Sequence, residues 1–331
     1  MAGSHISRRS FGVWAAGTAA ASPLAALAQA GFPQPGRPIR LLVGLAAGGS
    51  LDGQARTVAR RLAEITGGQV IVENKPGASM MLSASEVTRA SPDGYTLLYA
   101  PSSLFAQNPH TLSSVPYDSF RDFTPITMAA RGPLVLTVHS SLPVQTARDL
   151  VAWAKANPGK LNMASFGTGT SSHIYALAFA KTAGIDVTHV PYKGTAEAAR
   201  DLLEGRVQAY FDAAPTAITN TATGRIRMVG VASPKRMPAA PDVPTFTEQG
   251  IAGMDLTSWI SIVGPAKMPP DVVARLNALL VQTLNAPEVK EFYARGAWEA
   301  SPSTPAELTQ EMRVAYERWG AMVKQIGFEK Q

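Results

Sequence analysis

The chain has 331 residues, 46% apolar and 16% charged, with 30 Lys and Arg against 24 Asp and Glu and a formal net charge of +6. It is long enough for two hydrophobic cores, and the absence of cysteine excludes disulfides and thiolate metal sites. The histidines (His5, His110, His139, His173 and His189) show no metal-ligand spacing, and the scattered charges form no basic stripe with interleaved aromatics for a nucleic acid.

Residues 1–30, MAGSHISRRSFGVWAAGTAAASPLAALAQA, have the plan of an export signal. A basic stretch precedes a weakly apolar run from Phe11 to Ala21, and ALAQA supplies a small-residue cleavage site ending at Ala30. Arg8-Arg9 in SRRSFG predicts the twin-arginine route, with an ordinary Sec signal as the alternative. Either route places the mature protein, from Gly31, in the periplasm. It would then carry 28 basic against 24 acidic residues, a balance that favours anionic small molecules. No later run approaches the roughly 20 apolar residues that span a bilayer.

From there, strand-like and helix-like segments alternate, which predicts an α/β protein with largely parallel sheets. PIRLLVGL reads as a strand, and Ala55, Val58, Ala59, Leu62 and Ala63 follow with helical spacing. QVIVEN and GYTLLYA are strands with a helix around residues 79–90 between them. A second series opens at GPLVLTVH and passes through a helix whose capping box is Thr146 and Asp149. It continues through LNMASFGTGTSSHIYALAFAKTAG, DVTHVPY, TAEAARDLLEGR, VQAYFDA and RIRMVGVA. After SWISIVGPAKMPPD the chain returns to helices. The last has Thr304 and Glu307 as its capping box, Pro305 at its first position, and an apolar stripe of Leu308, Met312, Ala315, Trp319 and Met322.

One plan occurs twice. RLLVGLAAGGSLDGQARTVARRL and KLNMASFGTGTSSHIYALAFAK both run from a strand through a small, Gly-rich turn into a Ser/Thr-rich helix start. A single such turn serves any tight strand-to-helix connection. Two, one in each half of the chain, predict helix N-termini converging on a cleft, where unpaired backbone N–H groups and partial positive charge suit a carboxylate or phosphate. Enzyme motifs fail by comparison. Gly167-Thr168-Gly169 lacks the third glycine of a dinucleotide fingerprint and the Gly-Lys-Ser/Thr ending of a P-loop. Neither Ser50 nor Ser165 sits in a G-x-S-x-G elbow, and His173 lies beyond the helix start that follows Ser165. With no lysine in either turn, neutral donors point to reversible carboxylate binding, with no cofactor, no metal and no catalysis.

The ordered blocks PIRLLVGLAAGGSLDGQAR, VIVENKPGAS, SPDGYTLLYA, VPYDSFRDFTPI, KANPGKLNMASFGTGTSSH, THVPYKGTAEAARDLLEGRV, PDVPTFTEQG, SWISIVGPAKMPPDVVARLN and TPAEL closely resemble the Bug-type periplasmic receptors of tripartite tricarboxylate transporters. The resemblance spans the mature chain. It implies a two-lobed periplasmic-binding-protein fold, type II-like, each lobe a mostly parallel sheet flanked by helices with the ligand cleft between them. Crossings near Arg131 and Gly253 would make lobe one residues 31–131 plus 254–331 and lobe two residues 132–253. It further implies a monomer that traps a small carboxylate and hands it to transporter membrane subunits. An exported sensor and, from a different class, a serine hydrolase using Ser165 or Ser50 are the alternatives.

Carried onto this chain, the resemblance makes Ala46, Ala47, Gly48, Gly49, Ser50 and Asp52 the first cradle and Ser165, Gly167, Thr168, Gly169 and Thr170 the second. Ser102 and Thr195 would line the cleft. Asp52, facing an anion, is better suited to orienting a loop N–H than to touching ligand. Asp212 could bind a ligand amine or hydroxyl or cap a turn, Lys193 could supply a counter-charge, and Phe105 and Trp259 could wall the cleft or belong to the core. PGASMMLSA departs from the family's PGAGG pattern, so Met80 and Met81 either alter the cleft or repack beside it.

Overall fold

The computed structural model describes Met1 and residues 32–192 and 194–331. The segment read as an export signal, Met1 aside, and Lys193 lie outside the described residues. The elements in order are β1 (Ile39–Val43), α1 (Ser50–Thr66), β2 (Val70–Asn74), α2 (Met81–Thr88), β3 (Thr96–Pro101), α3 (Asn108–Thr111), β4 (Phe123–Gly132), β5 (Leu134–His139), α4 (Ala147–Ala156), β6 (Asn162–Ser165) and α5 (Ser171–Ala183). They continue with β7 (Thr188–Pro191), α6 (Thr195–Leu203), β8 (Ala209–Ala213), α7 (Ala214–Thr221), β9 (Ile226–Ala232), β10 (Ser258–Pro265), α8 (Pro270–Leu284), α9 (Pro287–Arg295), β11 (Glu299–Ala300) and α10 (Pro305–Ile326).

Two sheets form, in the orders β11-β4-β10-β3-β1-β2 and β7-β6-β8-β5-β9. Each is mixed. β1 runs parallel to β2 and β3, and β6 runs parallel to β7 and β8. β10 is antiparallel to β3 and β4, and β5 is antiparallel to β8 and β9. The mixture follows from the connectivity: β4 leaves the first sheet and β5 enters the second with only Pro133 between them, and β10 returns the chain to the first sheet.

Helices cover both faces of the first sheet. α1, α8 and α9 pack on one side around Val43, Val58, Leu62, Ile262, Leu279 and Tyr293. On the other side an apolar cluster runs from Leu42, Leu98 and Met128 through Leu308, Met312 and Trp319 to Tyr175, Phe179 and Phe211 of the second sheet's layer. α10 is what makes this cluster continuous. Its predicted stripe (Leu308, Met312, Ala315, Trp319 and Met322) is buried, and the Trp319 indole meets Tyr175 of α5 edge-on at 5.5 Å. The same helix holds the end of β4 through a two-pronged Arg131–Glu311 ion pair (3.0 and 2.9 Å). It also holds the β9–β10 connection through an Arg318–Asp255 pair.

Candidate functional site

The carboxyl ends of parallel strands are where α/β sheets place ligands, because the loops there carry helix N-termini. The segments singled out in the sequence lie at such ends. β1 leads into residues 44–49, β3 into Ser102, β6 into residues 166–170, β7 into the turn before Thr195, and β8 carries Asp212 near its end.

How the helices begin separates these loops from the rest. α4 and α10 close their own N-termini with complete capping boxes, Thr146 with Asp149 and Thr304 with Glu307. α7, α8 and α9 carry proline in the first turn, which removes an orphan donor. α1, α5 and α6 have neither device: Gly49, Thr170 and Gly194 stand at their N-cap positions without a side-chain cap bond, and α2, which also lacks both, starts instead behind the buried Met80. In α1 and α5 the first N–H groups remain available to an anion.

In the first turn, Ala46, Ala47, Gly48, Gly49 and Ser50 are all exposed. Asp52 is buried beneath them. Its Oδ2 accepts the Gly48 N–H (2.9 Å) and the Arg56 Nε (3.0 Å), while Asn74 receives Arg56 and donates to the Leu45 carbonyl (both 3.0 Å). The Arg56 guanidinium, aided by the Gly48 N–H, holds the Asp52 carboxyl below its usual range. Asp52 is thus an internal brace that orients a loop N–H. Gly48 has φ +83, and a Cβ built there would meet nothing within 4 Å.

The second turn is more tightly organised. Gly167 N–H donates to Ser165 Oγ (3.3 Å), Thr170 Oγ1 donates to the Gly167 carbonyl (2.6 Å), and Gly169 N–H donates to His173 Nδ1 (3.1 Å). Gln107, from the wide helical turn Ser103–Gln107, donates to the Gly169 carbonyl. Ser165 Oγ contacts His189 Nε2 at 2.7 Å, and the His189 and His173 rings stack 3.5 Å apart at 9°. Burial lowers the pKa of both histidines. For His173, with the neighbouring His189 adding to burial, it falls to about 4. Thr168 is exposed at the tip, and Thr170 is half-buried.

Other predicted residues sit apart from these turns. Ser102 is buried, and its Oγ accepts from the Trp259 N–H at 3.4 Å, tying β3 to β10. Thr195 is exposed at the start of α6. Asp212 is fully buried. The Tyr210 hydroxyl and the Ala213 N–H favour its ionised form, but neither reaches hydrogen-bond geometry with a carboxyl oxygen, and burial dominates to push the pKa up to about 8. Phe105 and Trp259 stack within the core and offer no wall to a cleft. Met80 is buried against Gly44, and Met81 packs on the same core cluster, so the departure at residues 79–81 repacks the core beside the first turn.

Sequence reasoning missed His189 and Gln107. His189 reaches Ser165 only because β6 and β7 pair in the register Met163↔His189. The Ser165–His189 contact falls short of a catalytic arrangement. Ser165 is fully buried, and no carboxylate among the described residues orients His189 from behind. Among the described residues no group of three or more acidic or histidine side chains could hold a metal, and no helix is long and apolar enough to cross a membrane.

Residues 54–328 match the model of the tripartite tricarboxylate transporter family receptor. Protein BugT of Bordetella pertussis is 30% identical over 294 residues, 88% of this chain and 90% of that protein. Among solved structures, R. palustris Rpa4515 with adipate is 31% identical with a TM-score of 0.81, covering 90% of this chain and 99% of that one. MatC (Rpa3494) from Rhodopseudomonas palustris with bound malate is 27% identical with a TM-score of 0.76, covering 87% and 99%.

Proposed function

This chain belongs to the tripartite tricarboxylate transporter receptor family, and we propose that it captures a small carboxylate in the periplasm and delivers it, as a monomer, to a tripartite tricarboxylate-type membrane transporter. The observation that carries this reading is the contrast in helix starts: α1 and α5 leave their first N–H groups uncapped behind small, partly exposed turns, whereas α4 and α10 cap themselves. A ligand carboxylate completes the missing caps. Lobe one (31–131 plus 254–331) contributes the turn from Ala46 to Ser50, and lobe two (132–253) contributes the turn from Gly167 to Thr170. Hinge closure brings the two turns onto one ligand and expels water, which strengthens every hydrogen bond in the cleft. Neutral donors suit a receptor that must later release its cargo. Ser165, buried and with no acid behind His189 among the described residues, supports capture without chemistry on the ligand.

Relatives that hold adipate and malate make linear dicarboxylates the first acids to try. The test is a thermal-shift panel on the chain from Gly31, unfolded and refolded to strip ligand. An acid bound only by the folded state, at a hundred times its Kd, stabilises by about 2.7 kcal/mol. The expected result is a rise with an acid and none with its diamide. No rise with any acid would refute the reading.

A further inference from the structure

Gly169 is held at both of its backbone polar groups, one in each of the two successive peptide units it joins. Its N–H is received by His173 Nδ1 at 3.1 Å, and its carbonyl is held by Gln107, which approaches from the Ser103–Gln107 turn beside β3. The residue has φ +73, and a Cβ built there would already touch Thr111 and Phe328 at 3.6 and 3.8 Å. The His173 ring is itself fixed, stacked on His189 and met edge-on by Phe328 at 5.5 Å. His189 then returns to Ser165, where the same turn begins. A closed series of contacts thus runs from Ser165 through His189 and His173 to Gly169 and Gln107, enclosing the turn from both ends.

A tight strand-to-helix turn does not require this much apparatus; the first turn manages with the Asp52 brace and one bond from Asn74 to the Leu45 carbonyl. The chemistry also defines the state of the ring. A backbone N–H can only donate, so His173 must present a lone pair at Nδ1 and carry its proton on Nε2, which only neutral imidazole can do. The surroundings enforce that form. His173 is buried, its ring is faced by His189 on β7 and by Phe328 of the C-terminal segment, and among the described residues no carboxylate is seen to contact it.

We propose that His173 is a positioning residue for ligand capture: its Nδ1 lone pair holds the Thr168–Gly169 peptide while Gln107 holds the Gly169–Thr170 peptide, and together they fix the turn so that the Thr168 and Ser171 N–H groups are aimed at the ligand. The proposal rests on the reading of this turn as a carboxylate cradle. His173 touches no ligand itself; it takes up the Gly169 N–H so that the turn holds one shape before the ligand arrives.

The test uses adipate and malate as probes, with calorimetry at pH 7.5 on the wild type, His173→Asn and His173→Leu. Asparagine can place an acceptor oxygen near the Nδ1 position; leucine fills the space without one. His173→Asn should bind within about threefold of wild type, and His173→Leu should bind about tenfold or more weakly. Equal affinities for the two variants would overturn the proposal, since a purely packing role does not depend on an acceptor. Nitrogen-15 spectra of the unliganded wild type supply a reading that survives misfolding of either variant. Nδ1 of His173 should be the unprotonated nitrogen and the Gly169 amide should exchange slowly, and a proton on Nδ1 or fast exchange would overturn the proposal. If the wild type binds none of the acids, the receptor reading fails and takes this role with it. That case is told apart because wild type and variants are then equally silent.

Discussion

Gly49→Trp separates binding from folding. Gly49 adopts φ −79 and ψ 171, open to any residue, and the nearest atom to a Cβ built there is the Ala46 carbonyl at 3.6 Å, an ordinary contact. The fold should therefore lose no more than about 0.5 kcal/mol, as for other unremarkable surface changes, a shift of about 1 °C in Tm. The indole would occupy the mouth of the first cradle, where a carboxylate must approach. Denying the ligand two charge-assisted hydrogen bonds at about 1.5–3 kcal/mol each removes about 3–6 kcal/mol, or about 10²–10⁴-fold in affinity. Calorimetry with the best acid, alongside a melting curve, measures both effects. Unchanged affinity would refute the assignment of this turn to the ligand, and a collapse in Tm would refute the claim that the turn is sterically open.

Asp212→Asn tests the buried acid. Because the folded chain keeps a proton on Asp212 up to about pH 8 while the unfolded chain releases it near 3.8, the wild type loses stability as pH rises through that window, by up to about 6 kcal/mol. The variant, neutral throughout, should gain in Tm relative to wild type from pH 5 to pH 8 and gain no more above it; parallel Tm curves would contradict this. His173 has the opposite slope. Its folded pKa near 4 lies below the unfolded 6.5, so the unfolded chain binds the extra proton and stability falls as pH drops from about 6.5 to 4. Exchanging His173 for Asn should lessen the fall in urea midpoint over that range, His189 keeping its own share, and an unaltered slope would contradict it. Glu311→Gln breaks the two-pronged pair that holds the end of β4 to α10 and should lower stability by about 1 kcal/mol in urea, less in high salt. No change at low salt would mean the pair does not restrain that connection.

Local features were legible in the sequence. The capping boxes at Thr146 and Thr304 form as read, because each involves residues three apart on one helix start. The strand–turn–helix plan around residues 46–52 and 165–172 was equally readable, since glycine and Ser/Thr mark such joins by backbone chemistry alone. What was not legible depends on pairing between distant segments. Ser165 meets His189 rather than the nearer His173 because β6 and β7 align in a register that no local pattern encodes. Gln107 reaches Gly169 only after β3 and β6 are placed in their separate sheets. The apolar stripe of α10 announced burial but not that it would join the two layers, a property of what lies opposite each face. Met80 and Met81 likewise declared bulk, and only the position of Gly44 shows where Met80 goes.

The central claim is that one carboxylate is held by two turns from different lobes. Amide hydrogen exchange, with and without the acid that gives the largest rise in Tm, tests it directly. The account predicts that amides of residues 46–52 and 165–172 become protected together, with the same dependence on ligand concentration. Protection confined to one turn, or spread evenly over the chain with no concentration at either, would contradict it.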